Sequence, residues 1–130
     1  MGDGASNDEL FSVREVAGGR LATITLHTRY LNYSVSDALR ASLARFLANG
    51  LERGLREFVL ELTSVTIVDS CGVGLMIWLH REVEAAGGTL CLCGVTHFLQ
   101  KMLRMMQLDR FFTVVATEEE AVRRLATRVE

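Results

Sequence analysis

The residues best spaced for chemistry lie in one stretch, Thr66-Ile67-Val68-Asp69-Ser70-Cys71-Gly72-Val73-Gly74. A carboxylate stands beside a hydroxyl and a thiol, and two glycines follow at alternate positions. Apolar residues precede the group as a strand ends, and an apolar run follows, so the glycines let the chain turn tightly into a helix. Ser70 then sits at a helix N-terminus, where backbone N–H groups lack intrahelical partners and the dipole favours anions. A phosphate on Ser70 would be held there. It would add a charge of roughly −1.5 to −2 without melting the helix, so the fold would survive while the local surface changed sign. A plainer reading makes Asp69 or Ser70 the helix N-cap and nothing more, worth ~1 kcal/mol; the two roles are compatible. Nucleophilic catalysis by Ser70 or Cys71 has less behind it. The sequence has no G-x-S-x-G, and no His–Asp pair is spaced to form a relay.

The elements that must position this group follow from periodicity. Phe11, Val13 and Glu15 alternate with their neighbours as a short strand does, Gly18–Gly19 makes a turn, and Leu21, Ile24 and Leu26 belong to a second strand, giving a hairpin. From Ser34, a suitable N-cap with Asp37 three residues on, Val35, Ala38, Leu39, Ser42, Leu43 and Phe46 recur at helical spacing as far as Asn49–Gly50. Phe58 to Leu62 reads as a buried central strand. A second helix is expected from near Gly72 to Gly87–Gly88, a strand over Thr89–Cys93, and a helix capped by Thr96 that carries Leu99, Met102, Leu103 and Met106. Phe112 to Val115 is a last strand. Thr117 with Glu118, Glu119 and Glu120 caps a final helix whose apolar side is Ala121, Val122 and Leu125. The order β-β-α-β-α-β-α-β-α specifies an α/β fold, with a mixed sheet of about five strands and right-handed crossovers. Sites in such sheets lie beyond the carboxyl ends of strands, which directs attention to residues 66–74.

Composition narrows the function. A chain of 130 residues, 49% hydrophobic and 23% charged, is one globular domain and is neither disordered nor fibrous. Residues 1–8 read as a disordered polar lead-in, leaving 9–130 as the domain. A net charge of −2 speaks against nucleic acid as a partner. The most apolar run, Val73 to Leu79, falls far short of the ~20 residues that a membrane span needs. With no secretory signal either, a cytoplasmic protein with reduced thiols is expected. Cys91 and Cys93 stand two apart on a strand with no second Cys/His cluster, so they read as buried small hydrophobes and no metal is expected. No phosphate-cradling fingerprint suggests a cofactor. His80 and Glu84 have the spacing of a surface helix pair. Val73, Leu75, Met76, Ile77, Trp78 and Leu79 are apolar nearly all round their helix, so at least one is expected to reach the surface as an interface anchor.

The Asp69-Ser70-Cys71-Gly72-Val73-Gly74 group, the Gly87-Gly88-Thr89-Leu90 strand entry and the turn Leu108-Asp109-Arg110-Phe111-Phe112 together resemble a STAS domain. The resemblance spans about Phe11 to Leu125 and is nearest to the stand-alone anti-sigma factor antagonists. It implies a STAS-like fold with helices packed mainly on one face of the sheet. It also implies a non-enzymatic regulator whose serine after the aspartate, Ser70 here, is phosphorylated by an anti-sigma factor serine kinase of the histidine-kinase-like ATPase fold. The unmodified antagonist binds that kinase, and a metal-dependent serine/threonine phosphatase reverses the mark. The implied partner surface comprises Asn32, Asp69, Ser70, Cys71, Gly72, Val73, Gly74, Met76 and Ile77. Two positions depart from the family pattern. Cys71 replaces a hydroxyl, which leaves Ser70 as the only hydroxyl in the signature. Asn32, in Thr28-Arg29-Tyr30-Leu31-Asn32, stands where the family carries an acid. The alternative within the family is a scaffold or accessory subunit of a stressosome-like signalling complex or a lipid-transport complex, without obligatory phosphorylation.

Overall fold

The computed structural model describes residues 10–127, so the expected lead-in over 1–8 lies outside the described residues. Strands β1 (Phe11–Val16) and β2 (Leu21–Leu26) form the antiparallel hairpin, with Gly18 and Gly19 at positive φ in the turn. β2 pairs in parallel with β4 (Glu57–Glu61), β4 with β6 (Thr89–Cys93), and β6 with β7 (Thr113–Val115). The result is one five-stranded mixed sheet in the order β1-β2-β4-β6-β7. The helices are α1 (Tyr33–Glu52), α2 (Ser70–Ala85), α3 (His97–Met105) and α4 (Glu118–Ala126).

Period-2 alternation divides the sheet side chains between two layers. Ala22, Ile24, Phe58, Leu60, Leu90 and Leu92 share one cluster with Leu39 and Leu43 of α1, Met76 and Leu79 of α2, and Leu99 and Leu103 of α3. Leu21, Val59, Cys91, Cys93 and Val115 meet Ala121, Val122 and Leu125 of α4 on the other side, with Val16 at the edge. Three helices therefore cover one face and one helix covers the other. Both β6 cysteines are fully buried, and burial pushes the Cys91 thiol up and that of Cys93 to about 12. They are packing residues, as the strand pattern predicts.

The caps correct two sequence boundaries. The cap of α1 lies two residues before Ser34: it is Asn32, and its side-chain oxygen accepts from the backbone N–H of Ser34. The Ser34 hydroxyl donates to that same oxygen at 2.7 Å, so the expected cap braces the actual one. α1 also continues past Asn49–Gly50. Gly50 is buried because the chain folds back over it, and a Cβ there would meet Leu55 Cδ1 at 2.7 Å. The stop belongs to Gly54 at φ +108, where the N–H groups of Gly54 and Leu55 reach the carbonyls of Leu51 and Gly50.

The sequence periodicity does not reveal a second, two-stranded sheet. β3 (Tyr30–Leu31) and β5 (Ile67–Val68) pair in parallel, outside the main sheet. The expected buried strand before Asp69 is this short piece, in which Val68 is buried and Ile67 exposed. Each of its strands runs within two residues into a helix, β3 into α1 and β5 into α2.

Candidate functional site

The parallel pairing of Leu31 with Val68 puts the next residue of each strand, Asn32 and Asp69, at matching positions, and each is the N-cap of its helix. Two helix starts thus lie side by side and are tied by one carboxylate. Asp69 Oδ1 accepts from Gly72 N in its own helix, and Asp69 Oδ2 accepts from Tyr33 N, the first N–H of α1, both at 3.0 Å. The backbone N–H of Asp69 in turn donates to the Leu31 carbonyl. α2 accordingly begins at Ser70, two residues before Gly72.

Ser70 is the first helical residue of α2, and both it and Cys71 are exposed. Among the described residues the Ser70 hydroxyl makes no hydrogen bond, and none takes up the backbone N–H groups of Ser70 and Cys71. The first turn of α1 is closed, since Tyr33, Ser34, Val35 and Ser36 all donate to Asp69 or Asn32. The first turn of α2 is open, with a free hydroxyl beside two free donors. Such a site can carry a phosphate and hold it.

Gly72 is where α2 crosses β3: a Cβ there would run into the Leu31 carbonyl oxygen and crowd Leu31 and Val68 side chains. The glycine thus allows the close approach that sets Asp69 against Tyr33. Gly74 is different, because a Cβ built on it meets nothing within 4 Å. It borders a groove of ≈ 450 Å³ between the starts of α1 and α2, lined also by Tyr33, Ser36, Asp37, Arg40, Cys71 and Leu75.

The expected partner surface therefore divides. Ser70 and Cys71 are exposed, while Asn32, Asp69, Gly74 and Ile77 are half-buried. Gly72, Val73 and Met76 are buried, so their side-chain positions face the core and offer no contact surface in this conformation. Of the apolar run on α2, Val73, Leu75, Met76 and Leu79 are buried, while Ile77 and Trp78 keep partial exposure. Its all-round apolarity is used by neighbours on several sides, and Trp78 lies half-buried under the Arg40 guanidinium of α1 at 5.1 Å. His80 pairs with Glu84 as its spacing predicts, but it is half-buried rather than on the surface. Its ring packs on Phe111 and Phe112, with centroids at 4.5 and 5.6 Å, while Nε2 lies 3.5 Å from Glu84.

Sequence reasoning missed Tyr33, which stands 75% exposed at the start of α1, and the groove residues Ser36, Asp37 and Arg40. Tyr30 and Ile67, paired across the small sheet, add exposed apolar surface nearby. No local signal marks these positions. They join the site only because two two-residue strands pair across 36 residues of chain. Among the described residues no group of three or more His, Cys, Asp or Glu side chains could hold a metal ion, and no helix is long and apolar enough to cross a membrane.

The STAS domain family matches residues 23–121, and the chain belongs to that family. The anti-sigma F factor antagonist of Lysinibacillus sphaericus is 26% identical over 95 residues, covering 73% of this chain and 78% of the relative. The anti-sigma factor antagonist SpoIIAA in its unphosphorylated form superposes with a TM-score of 0.70 at 24% identity, covering 92% of this chain and 97% of that one. The phosphorylated form of the Bacillus SpoIIAA gives a TM-score of 0.64, also at 24% identity, covering 88% and 97%.

Proposed function

We propose that this chain is an anti-sigma factor antagonist that works by partner switching. Unmodified, it binds an anti-sigma factor serine kinase of the histidine-kinase-like ATPase fold and so frees a sigma factor for transcription. Phosphorylation of Ser70 by that kinase ends the binding, and a metal-dependent serine/threonine phosphatase restores it. The chain is the substrate in this cycle and not the catalyst. The observation that carries the reading is the exposed hydroxyl of Ser70, unbonded among the described residues, beside the N–H groups of Ser70 and Cys71, which are likewise free there. A phosphate there accepts from those donors without breaking any hydrogen bond of the fold. The surface it alters already holds Asp69 and Asp37, so the added anion makes a local negative field that a partner fitted to the bare serine would meet as repulsion.

The test is incubation with magnesium, ATP and a cognate serine kinase of the histidine-kinase-like ATPase fold, followed by mass spectrometry of intact protein and peptides. One phosphate on the peptide containing Ser70, and none on Ser70→Ala, is the expected result. Ser70→Ala should still bind the kinase. Ser70→Asp should bind roughly a hundredfold more weakly, as an unpaired anion at an interface costs ~2–3 kcal/mol. Tight binding by Ser70→Asp, or phosphate found elsewhere, would sink the switch. A stable complex formed without any phosphorylation would favour the scaffold role.

A further inference from the structure

We infer that Gly74 is the access residue for Ser70: its bare Cα keeps open the path by which the kinase reaches the serine hydroxyl. This rests on the function proposed above and adds a residue that controls it. Ser70 and Gly74 are four apart on α2, so they lie one above the other on the same helix face. Cα–Cβ bonds in a helix tilt toward its N-terminus, so any side chain at 74 would lean toward Ser70. It would also enter the groove bordered by Cys71, Tyr33 and Arg40.

Nothing among the described residues explains the glycine. Its backbone is helical, with no positive φ, and a Cβ would find open space. Gly72, two residues earlier, has a clear packing reason in the Leu31 carbonyl. A glycine within a helix weakens it relative to alanine by exposing backbone and adding freedom to the unfolded chain. Gly74 thus sacrifices stability for a gap, and the gap lies one helical turn below the hydroxyl to be modified. The occupant that fits is the kinase, because a phosphoryl donor must close on Ser70 to transfer, and it approaches across this face. A larger side chain would hold it back by direct overlap.

The experiment compares wild type, Gly74→Ala and Gly74→Leu in thermal melting, in kinase affinity and in the rate of phosphate transfer to Ser70. Both variants should melt at higher temperature, Gly74→Ala by ~2–4 °C. Both should lose phosphorylation efficiency, Gly74→Ala by about tenfold and Gly74→Leu by more, since overlap grows with side-chain size. A variant that melts higher and is phosphorylated like wild type overturns the inference while leaving the function intact. A variant that melts lower overturns it too, because the space at 74 is then needed by the fold. If wild type itself takes no phosphate at Ser70, the function fails first and the role of Gly74 fails with it.

Discussion

Asp69 shows how much one side chain can organise. Its two carboxylate oxygens accept from two different helices, Gly72 N of α2 and Tyr33 N of α1. An asparagine keeps the first of these bonds through its amide oxygen but turns an NH₂ donor toward the Tyr33 N–H, where no acceptor remains. Asp69→Asn should therefore destabilise the protein by ~1–2 kcal/mol, read as a lower urea midpoint at unchanged m-value. Asn32→Asp should be far milder, since its single Oδ1 role toward Ser34 survives the change. The capping role of Asp69 was legible from residue type, because Asp before a helix is a preferred cap. Its second bond was not, because Tyr33 is 36 residues away and nothing local couples them.

At the scale of elements, the strands were easiest to read where burial on both faces gives an unbroken apolar run, as in β4 and β6. β2 hides a conflict inside such a run. Thr23 is almost fully buried, and its hydroxyl finds no partner among the described residues. It faces the α4 side, opposite Val59, and β-branching suits it to the strand while its oxygen stays desolvated without return. Thr23→Val keeps the shape and removes the unpaired hydroxyl, so it should raise stability by ~1 kcal/mol in chemical denaturation. A loss of stability would mean that the hydroxyl is satisfied after all. The two-residue strands β3 and β5 lie at the opposite extreme. Neither is long enough to carry a period, and half of each is exposed, so no pattern in Tyr30–Leu31 or Ile67–Val68 distinguishes it from loop.

Across the whole molecule, the layer arrangement sorts the three thiols. Cys71 is exposed on the first turn of α2, while Cys91 and Cys93 are sealed between β6 and α4. A water-soluble disulfide reagent at neutral pH should titrate one thiol per native chain and three in denaturant, and fast reaction of all three would contradict the α4 packing. The same burial produces an alkaline effect. The folded state holds the Cys93 proton up to about 12, whereas an unfolded thiol loses its proton near ~8.5. The stabilisation is then fully present below ~8.5 and is lost as pH rises through that window, because the unfolded chain binds fewer protons there. Denaturation midpoints should fall steadily over that range, and a flat profile would show that burial does not hold the thiol neutral.

The order of main-sheet strands and helices, the hairpin, the caps at Thr96 and Thr117, and the buried β6 cysteines all followed from the chain, because each depends on spacing or on a residue's own conformational preference. The placement of Ser70 at a helix start directly after Asp69 followed as well. The neighbours of that position had to be seen in three dimensions. Pairing of β3 with β5 brings Tyr33 and Arg40 to the groove beside Cys71 and Gly74, and close packing buries Met76, which the family resemblance had put on the partner surface, and half-buries His80, which spacing had left at the surface. Periodicity tells which side of a helix is apolar, but only the elements packed around it determine how many sides are covered.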